Sequence, residues 1–397
     1  FFKKPFKNRE KILENQQVIS LFYDIHEQWP DSITNGTLMV ISKFYESQID
    51  GIPSGNFLNA FTYKLFSPAD NSLLKFSIVH FADFVRGMHE ILQLFKEKNC
   101  PDVLKNYLDR AAQILNENIL HELASKPKKY KFSIIENLHY GRYIRNKFRN
   151  DTHELIDIYG RLDAWYSMAI AMKTYQLHFP VMEEGNLPVI EAEKLYHLLL
   201  TKAVPYDIKM NKESNFIFLT GANMAGKSTF IRTVGCAVFL AHLGMPVPAE
   251  SFRLSYFDGL LSNINITDNI LKGESYFYNE VQRIKNTILK INDKRKWLVL
   301  IDELFKGTNV QDAMKCSAAV IKGLVKIQNS IFILSTHLYE IGEELKSHSN
   351  ISFKYFETSV KEDHLEFSYQ LKEGISNDRL GYLILKREKV VDLLEQL

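Results

Sequence analysis

Cysteine is scarce in this chain. The three present in 397 residues, Cys100, Cys236 and Cys316, are too widely spaced for the close pairs of a zinc site or the even count of a disulfide framework. They are read as buried or incidental thiols. Long apolar runs are missing too: none reaches the roughly 18 residues that a membrane helix needs, and the first residues lack the basic, apolar and small-residue order of a secretory signal. A cytoplasmic location is therefore the expectation. The formal net charge is only +2, which leaves partners open, because a nucleic-acid binder can confine its basic surface to one face. Glycine and proline are modest at 18 and 11, with no internal repeat or low-complexity segment. Against these absences stands a hydrophobic content of 46%, enough to bury a core in two or three domains. The chain opens at Phe1 rather than at methionine, so further residues upstream are expected.

The first half, residues 1–195, reads as mainly helical. Asn8 to Ile25 places Ile12, Ile19 and Phe22 on one side, and Phe81 to Lys98 and Val103 to Leu120 carry similar patterns. Asp151 with Glu154 suggests a capping box. Behind it Leu155, Ile158, Tyr159, Leu162, Trp165, Tyr166, Ala169 and Met172 fall at helical spacing, a long amphipathic helix with a core-facing stripe. An antiparallel helical assembly follows from these patterns. After about residue 200 short apolar runs alternate with helices, as in an α/β sheet. Phe216–Thr220, Trp297–Ile301 and Ile331–Ser335 are the clearest strands. Ile351–Val360 and Leu365–Leu371 form an expected antiparallel hairpin about Lys361-Glu362-Asp363.

The strand Phe216–Thr220 runs into Gly221-Ala222-Asn223-Met224-Ala225-Gly226-Lys227-Ser228 and then into a helix carrying Phe230, Ile231, Val234 and Val238. A phosphate-binding loop needs this context. Its glycines let successive N–H groups turn inward, and the helix N-terminus adds the positive end of its dipole. Lys227 is expected to reach the β and γ phosphates of ATP or GTP, and Ser228 to offer its hydroxyl to Mg²⁺. A second apolar strand ends in Asp302-Glu303: Asp302 can hold the Mg²⁺ shell and Glu303 can polarise or deprotonate the attacking water. A third ends in Ser335-Thr336-His337, which puts His337 where a γ-phosphate sensor belongs. Taken alone, each motif has a plain structural reading: a turn, two solvated acids after a buried strand, a structural histidine.

Together these segments resemble the MutS family. The stretch from Thr220 to Thr229, with its Asn223-Met224 pair, is similar to the family's phosphate loop. Asp302-Glu303-Leu304-Phe305-Lys306-Gly307-Thr308-Asn309 with Asp312 resembles its acidic strand and following loop, and Thr336-His337-Leu338-Tyr339-Glu340 its histidine motif. Gly273-Glu274-Ser275-Tyr276-Phe277-Tyr278-Asn279-Glu280 resembles the signature of MutS and the wider ABC class, and Gly244 with Val247-Pro248-Ala249-Glu250 extends the similarity. The resemblance implies ATP and Mg²⁺ as cofactors, and a homodimer in which Ser275 contacts the γ-phosphate held by the opposite subunit. Gly221, Ala222, Asn223, Met224, Ala225, Gly226, Lys227, Ser228 and Thr229 would line the nucleotide. Tyr369 aligns with a position that faces the base and could stack on adenine, or serve as a half-buried sheet residue. Val204-Pro205-Tyr206-Asp207 matches the family's approach to the loop. Pro5-Phe6 with Ile12 and Ile19 is similar to the opening of the family's core domain, and Leu162-Asp163 to Ala171 to its returning lever helix.

Several positions depart from that pattern. Phe305 stands where glycine is usual, Lys306 where arginine is common, Asn15 where an arginine is expected, and Ala203 where an aromatic often flanks adenine. Lysine cannot reproduce a bidentate guanidinium contact. Mismatch-reading relatives wedge the phenylalanine of a Phe-x-Glu motif into the duplex. Phe44-Tyr45-Glu46 has those letters but lies inside a helical pattern, after the core-like opening, and is not taken as a reader. The interval between the lever helices is short for a full-sized clamp. A stretch holding Lys126, Lys128, Lys129, Lys131, Arg142, Arg145, Lys147 and Arg149 is interleaved with Tyr130, Phe132, Tyr140, Tyr143 and Phe148. It suits either sequence-independent DNA phosphate contact or a solvated face whose basic stems cover aromatics.

The expected fold is therefore an α/β P-loop, ABC-type ATPase domain over 196–397, preceded by a mainly α-helical core and lever domain over 1–195. Its expected activity is ATP hydrolysis with dimer closure on DNA, in mismatch repair or recombination. The alternative is a nucleotide-gated dimeric adaptor that binds a protein partner without mismatch recognition. An ABC transporter ATPase fits the motifs but not the long helical half.

Overall fold

A computed structural model describes residues 4–49, 51–264, 276–361 and 364–376, with 390 and 393. The chain divides into two compact units, Gln17–Lys173 and Phe2–Gln16 with Thr174–Leu397.

The first unit is helical. Helix α1 (Arg9–Ile25) leads into it, followed by α2 (Asn35–Glu46), α3 (Phe57–Phe66), α4 (Pro68–Phe95), α5 (Asp102–Leu115), α6 (Asn118–Ser125), α7 (Ile134–Asn146) and α8 (Arg149–Tyr175). Helix α4 is the hub, and α2, α3, α5, α6 and α7 all pack against it. Its buried Leu74, Ile78, Phe81, Val85, Met88, Ile91 and Phe95 recur at helical spacing. Reciprocal caps start two of its partners, Thr34 with Thr37 for α2 and Ser133 with Glu136 for α7. The stretch Val103–Leu120 is two helices rather than one, broken at Asn116. The box expected at Asp151 and Glu154 does not form. Helix α8 begins at Arg149, so Asp151 lies within its first turn, and both oxygens of Glu154 accept from Arg110 at 2.7 Å.

The second unit is α/β. Strands β1 (Val181–Glu183), β2 (Ile190–Leu195), β3 (Tyr206–Met210) and β5 (Ser251–Ser255) form a four-stranded sheet in the order β1-β5-β2-β3. The larger sheet runs β10-β9-β4-β8-β7-β6, with β4 (Phe216–Thr220), β6 (Gly259–Asn263), β7 (Trp297–Asp302), β8 (Ile331–Ser335), β9 (Ile351–Lys361) and β10 (His364–Glu373). Its strands are parallel except β10, which pairs antiparallel with β9 in the expected hairpin. Every residue of β4, β7 and β8 is buried, as parallel strands covered on both faces require. Alternation does the sorting: Ile217, Leu219, Leu298 and Leu300 join one core with α9 (Lys227–His242). Phe216, Phe218, Val299 and Ile301 join the other, with α10 (Tyr276–Ile291), α11 (Val310–Leu324) and α12 (Glu340–Leu345).

The register fixes the site. Leu219 of β4 and Asp302 of β7 both pair with Ser335 of β8, so the three strands end side by side. Gly221, Glu303 and Thr336 therefore leave the sheet at one edge, the C-terminal edge where open parallel sheets place their ligands.

Candidate active site

The loop from Gly221 to Ser228 has the backbone its sequence demands. Gly221, Met224 and Gly226 sit at φ 136°, 67° and 111°, left-handed values that glycine adopts freely and Met224 at a cost. The Met224 side chain points out, 69% exposed, while Ala222 and Ala225 are buried. Gly226 caps α9, whose first turn presents unsatisfied N–H groups and the positive dipole end.

Lys227 is 5% exposed. Its Nζ donates to the carbonyls of Gly221 at 2.7 Å and Ala222 at 2.9 Å, and lies 3.5 Å from His337 Nε2. Burial pushes the ammonium down to about 8, against Glu303 and Asp302, which favour its charged form. Asp302, also buried, accepts from Ser335 Oγ. The Ser228 hydroxyl and the Asp302 carboxylate are the hard oxygen donors that Mg²⁺ takes from a protein when phosphates and water complete the shell.

Glu303 is gripped on both oxygens: Oε1 lies 2.9 Å from His337 Nε2 and Oε2 2.9 Å from Lys306 Nζ. Burial works to raise its pKa, but the bonds and charges of His337 and Lys306 outweigh burial and hold the carboxyl down to about 2. Its φ is 62° and that of Phe305 is 57°, two left-handed residues that cost on the order of 1–3 kcal/mol each. The position where glycine is usual is thus one where glycine would be unstrained. Phe305 holds it by packing, 4% exposed and 5.7 Å from the Phe277 ring.

A cleft of about 450 Å³ opens over this edge. Leu200, Lys202, Val204 and Tyr206 line it with the loop, Glu303 and Tyr369. Tyr369 stands at a bulge between Phe367 and Leu371, with φ 54°. That kink turns its ring, 42% exposed, toward the loop, so that Cδ1 comes within 3.5 Å of where a Cβ on Gly226 would lie. The structure thus brings together Lys227, Glu303, His337, Asp302 and Tyr369. Ser275 lies outside the described residues.

Glu280 was not singled out from sequence. It is 2% exposed on α10 and accepts from the backbone N–H groups of Lys306 and Gly307 at 3.1 Å each. Its signal was available: Phe277, Glu280, Ile284, Thr287 and Ile291 form an inward stripe at helical spacing, and an acid on such a stripe must find donors. Asn15, in the place of an expected arginine, is buried and donates to Leu243 O at 2.9 Å, tying α1 to the end of α9.

The basic stretch resolves in part toward the interior. Phe132, Tyr140 and Phe148 are core residues, Lys126 pairs with Glu122 and Glu136, Lys128 with Asp31, and Arg145 donates to the carbonyls of Phe44 and Ser47. Lys129, Lys131, Arg142, Lys147 and Arg149 are exposed. Phe44 is fully buried, and Tyr45 Oη bonds Thr152 Oγ1 at 2.8 Å, so both belong to the core.

Residues 217–392 match the family model for MutS domain V. The DNA mismatch repair protein MSH3 of Candida glabrata is 32% identical over 250 residues, 60% of this chain and 24% of that protein. MutS of Aquifex pyrophilus is 31% identical over 206 residues, 52% of this chain and 23% of its own length. The Drosophila melanogaster mismatch repair protein spellchecker 1 is 30% identical over 206 residues, 52% of this chain and 22% of its own length. The matched segment thus spans about a quarter of each of these relatives. The MutS domain V match thus falls on the larger sheet, where the loop, acidic and histidine motifs converge at one edge.

Proposed function

We propose that this chain is a P-loop, ABC-type ATPase of MutS kind that acts on DNA as a homodimer. The observation that carries it is the meeting of Lys227, Glu303 and His337, from three separate segments, within hydrogen-bond range at the C-terminal edge of one sheet. The triphosphate would lie along the Gly221–Ser228 loop, with Lys227 leaving the Gly221 and Ala222 carbonyls for the β and γ oxygens and Tyr369 against adenine. Ser228 and Asp302 would hold Mg²⁺, which would supply positive charge to neutralise that of the phosphates. Water attacks the γ-phosphorus, the bond to the bridging oxygen breaks, and ADP and phosphate leave while Glu303 takes the proton. A carboxylate held near 2 by His337 and Lys306 is a weak base. Dimer closure that draws either partner toward the γ-phosphate would strengthen it, with Ser275 of the second subunit completing the site.

The relatives named for DNA mismatch repair support a role in repair or recombination. In that reading 1–195 serves as the core and lever, and 196–397 as the motor. The exposed Lys129, Lys131, Arg142, Lys147 and Arg149 would supply phosphate contacts in that reading. The acidic partners of Lys126 and Lys128 and the backbone partners of Arg145 favour the second reading, a nucleotide-gated adaptor for a protein partner. Titrating duplex and branched DNA at two salt concentrations, with and without ATP, separates the two. Salt-dependent binding supports the DNA-acting ATPase, and its absence in every condition supports the adaptor.

A further inference from the structure

The carboxylate of Glu280 lies on the inward stripe of α10, where an aliphatic side chain would fill the space at lower cost. Its two oxygens instead take the N–H groups of Lys306 and Gly307, 3.1 Å each. Those successive donors follow directly on Phe305 at φ 57°, the concave arrangement of N–H groups that holds an anion. The same few residues carry Lys306 Nζ to Glu303 Oε2 at 2.9 Å, and Glu303 is itself left-handed at φ 62°. Two strained residues so close together persist only where their surroundings over-determine them, and charge-assisted bonds to the intervening backbone do so.

We propose that Glu280 is a positioning residue for hydrolysis: it fixes the backbone of residues 303–307 and thereby the direction of the Glu303 carboxylate toward the attacking water. This rests on Glu303 being the group that activates water. Glu280 touches neither nucleotide nor water in this assignment, so its loss acts on the rate of the chemical step and spares affinity.

The test uses the full chain and its Glu280→Ala, Glu280→Gln, Glu303→Gln and Glu280→Ala/Glu303→Gln forms, with kcat and KM for ATP and the Kd of a fluorescent ATP analogue. Glu280→Ala is expected to lower kcat by about 10- to 100-fold with KM and Kd within about twofold. Glu280→Gln, isosteric and able to keep one accepting oxygen, should lose several-fold less. In the Glu303→Gln background, Glu280→Ala should cause no further loss, because the group it positions is already gone. A folded Glu280→Ala with unchanged kcat, or a loss that multiplies that of Glu303→Gln, would overturn the proposal. Wild-type turnover by Glu303→Gln instead overturns the assignment of Glu303, so the two failures are told apart.

Discussion

His337 Nε2 stands 2.9 Å from Glu303 Oε1, and the same nitrogen lies 3.5 Å from the Nζ of Lys227. One imidazole nitrogen thus meets both the group expected to activate water and the group expected to hold phosphate. This contact, with that of Lys306, sets the acidity of Glu303, and its consequence for stability has a definite sign. The carboxyl falls from 4.5 to about 2 on folding, so the native state binds fewer protons across that window. The stabilisation is complete above about pH 4.5 and is lost as pH falls toward 2. Urea midpoints of wild type and Glu303→Gln should therefore differ more at pH 7 than at pH 3. Parallel loss of stability in both proteins would sink this.

Lys227 has the opposite linkage. Its ammonium is lowered from 10.5 to about 8 by burial, so the unfolded chain binds the extra proton between those values. The cost is fully present below about pH 8 and relieved as pH rises toward 10.5. Lys227→Met should melt no lower than wild type at pH 7 without nucleotide, yet lose ATP-dependent stabilisation. Calorimetry with and without ATP checks both, and an apo variant melting several degrees lower contradicts the burial argument.

Tyr369 offers a sharper test of the cleft. If its ring stacks on the base, Tyr369→Ala should raise the Kd for ATP by about 2- to 13-fold, the 0.5–1.5 kcal/mol of an aromatic pair, and leave kcat within about twofold. An unchanged Kd would assign the tyrosine to the sheet alone.

At Gly244, φ is 65° and a Cβ would stand 2.6 Å from Ile12 O and 2.9 Å from the Cβ of Asn15. Gly244→Ala must distort backbone at both ends of that contact and should destabilise the second unit by about 1–3 kcal/mol. Denaturant unfolding reads this, and a neutral outcome would show that α1 gives way easily.

The α/β alternation after residue 200, the three site strands and the C-terminal hairpin were legible because buried parallel strands are continuous apolar runs with motif residues at their ends. Helix limits were less so. Asp151 and Glu154 spell a cap, but Glu154 is taken by Arg110, forty-four positions away in sequence, a contact no local pattern reveals. The aromatics among the basic residues at 126–149 were open to two readings in the sequence. Spacing showed them interleaved with lysine and arginine, and only packing turned Phe132, Tyr140 and Phe148 inward. Glu280 was visible as an acid on an apolar stripe, but its donors belong to a loop more than twenty residues on.

For DNA, each exposed basic side chain that touches phosphate contributes about 0.9 to the slope of log K against log salt. Replacing Lys129, Lys131 and Arg142 together by glutamine should lower that slope by about two to three and weaken binding alike across sequences. An unchanged slope would remove this face from any DNA path.

The most direct test of the whole assignment is steady-state ATP hydrolysis by Glu303→Gln beside nucleotide binding by the same protein. Binding should persist while kcat falls by about 10²–10⁴-fold. Turnover at the wild-type rate with binding intact would contradict the account, because the carboxylate between His337 and Lys306 would then not be the group that activates water.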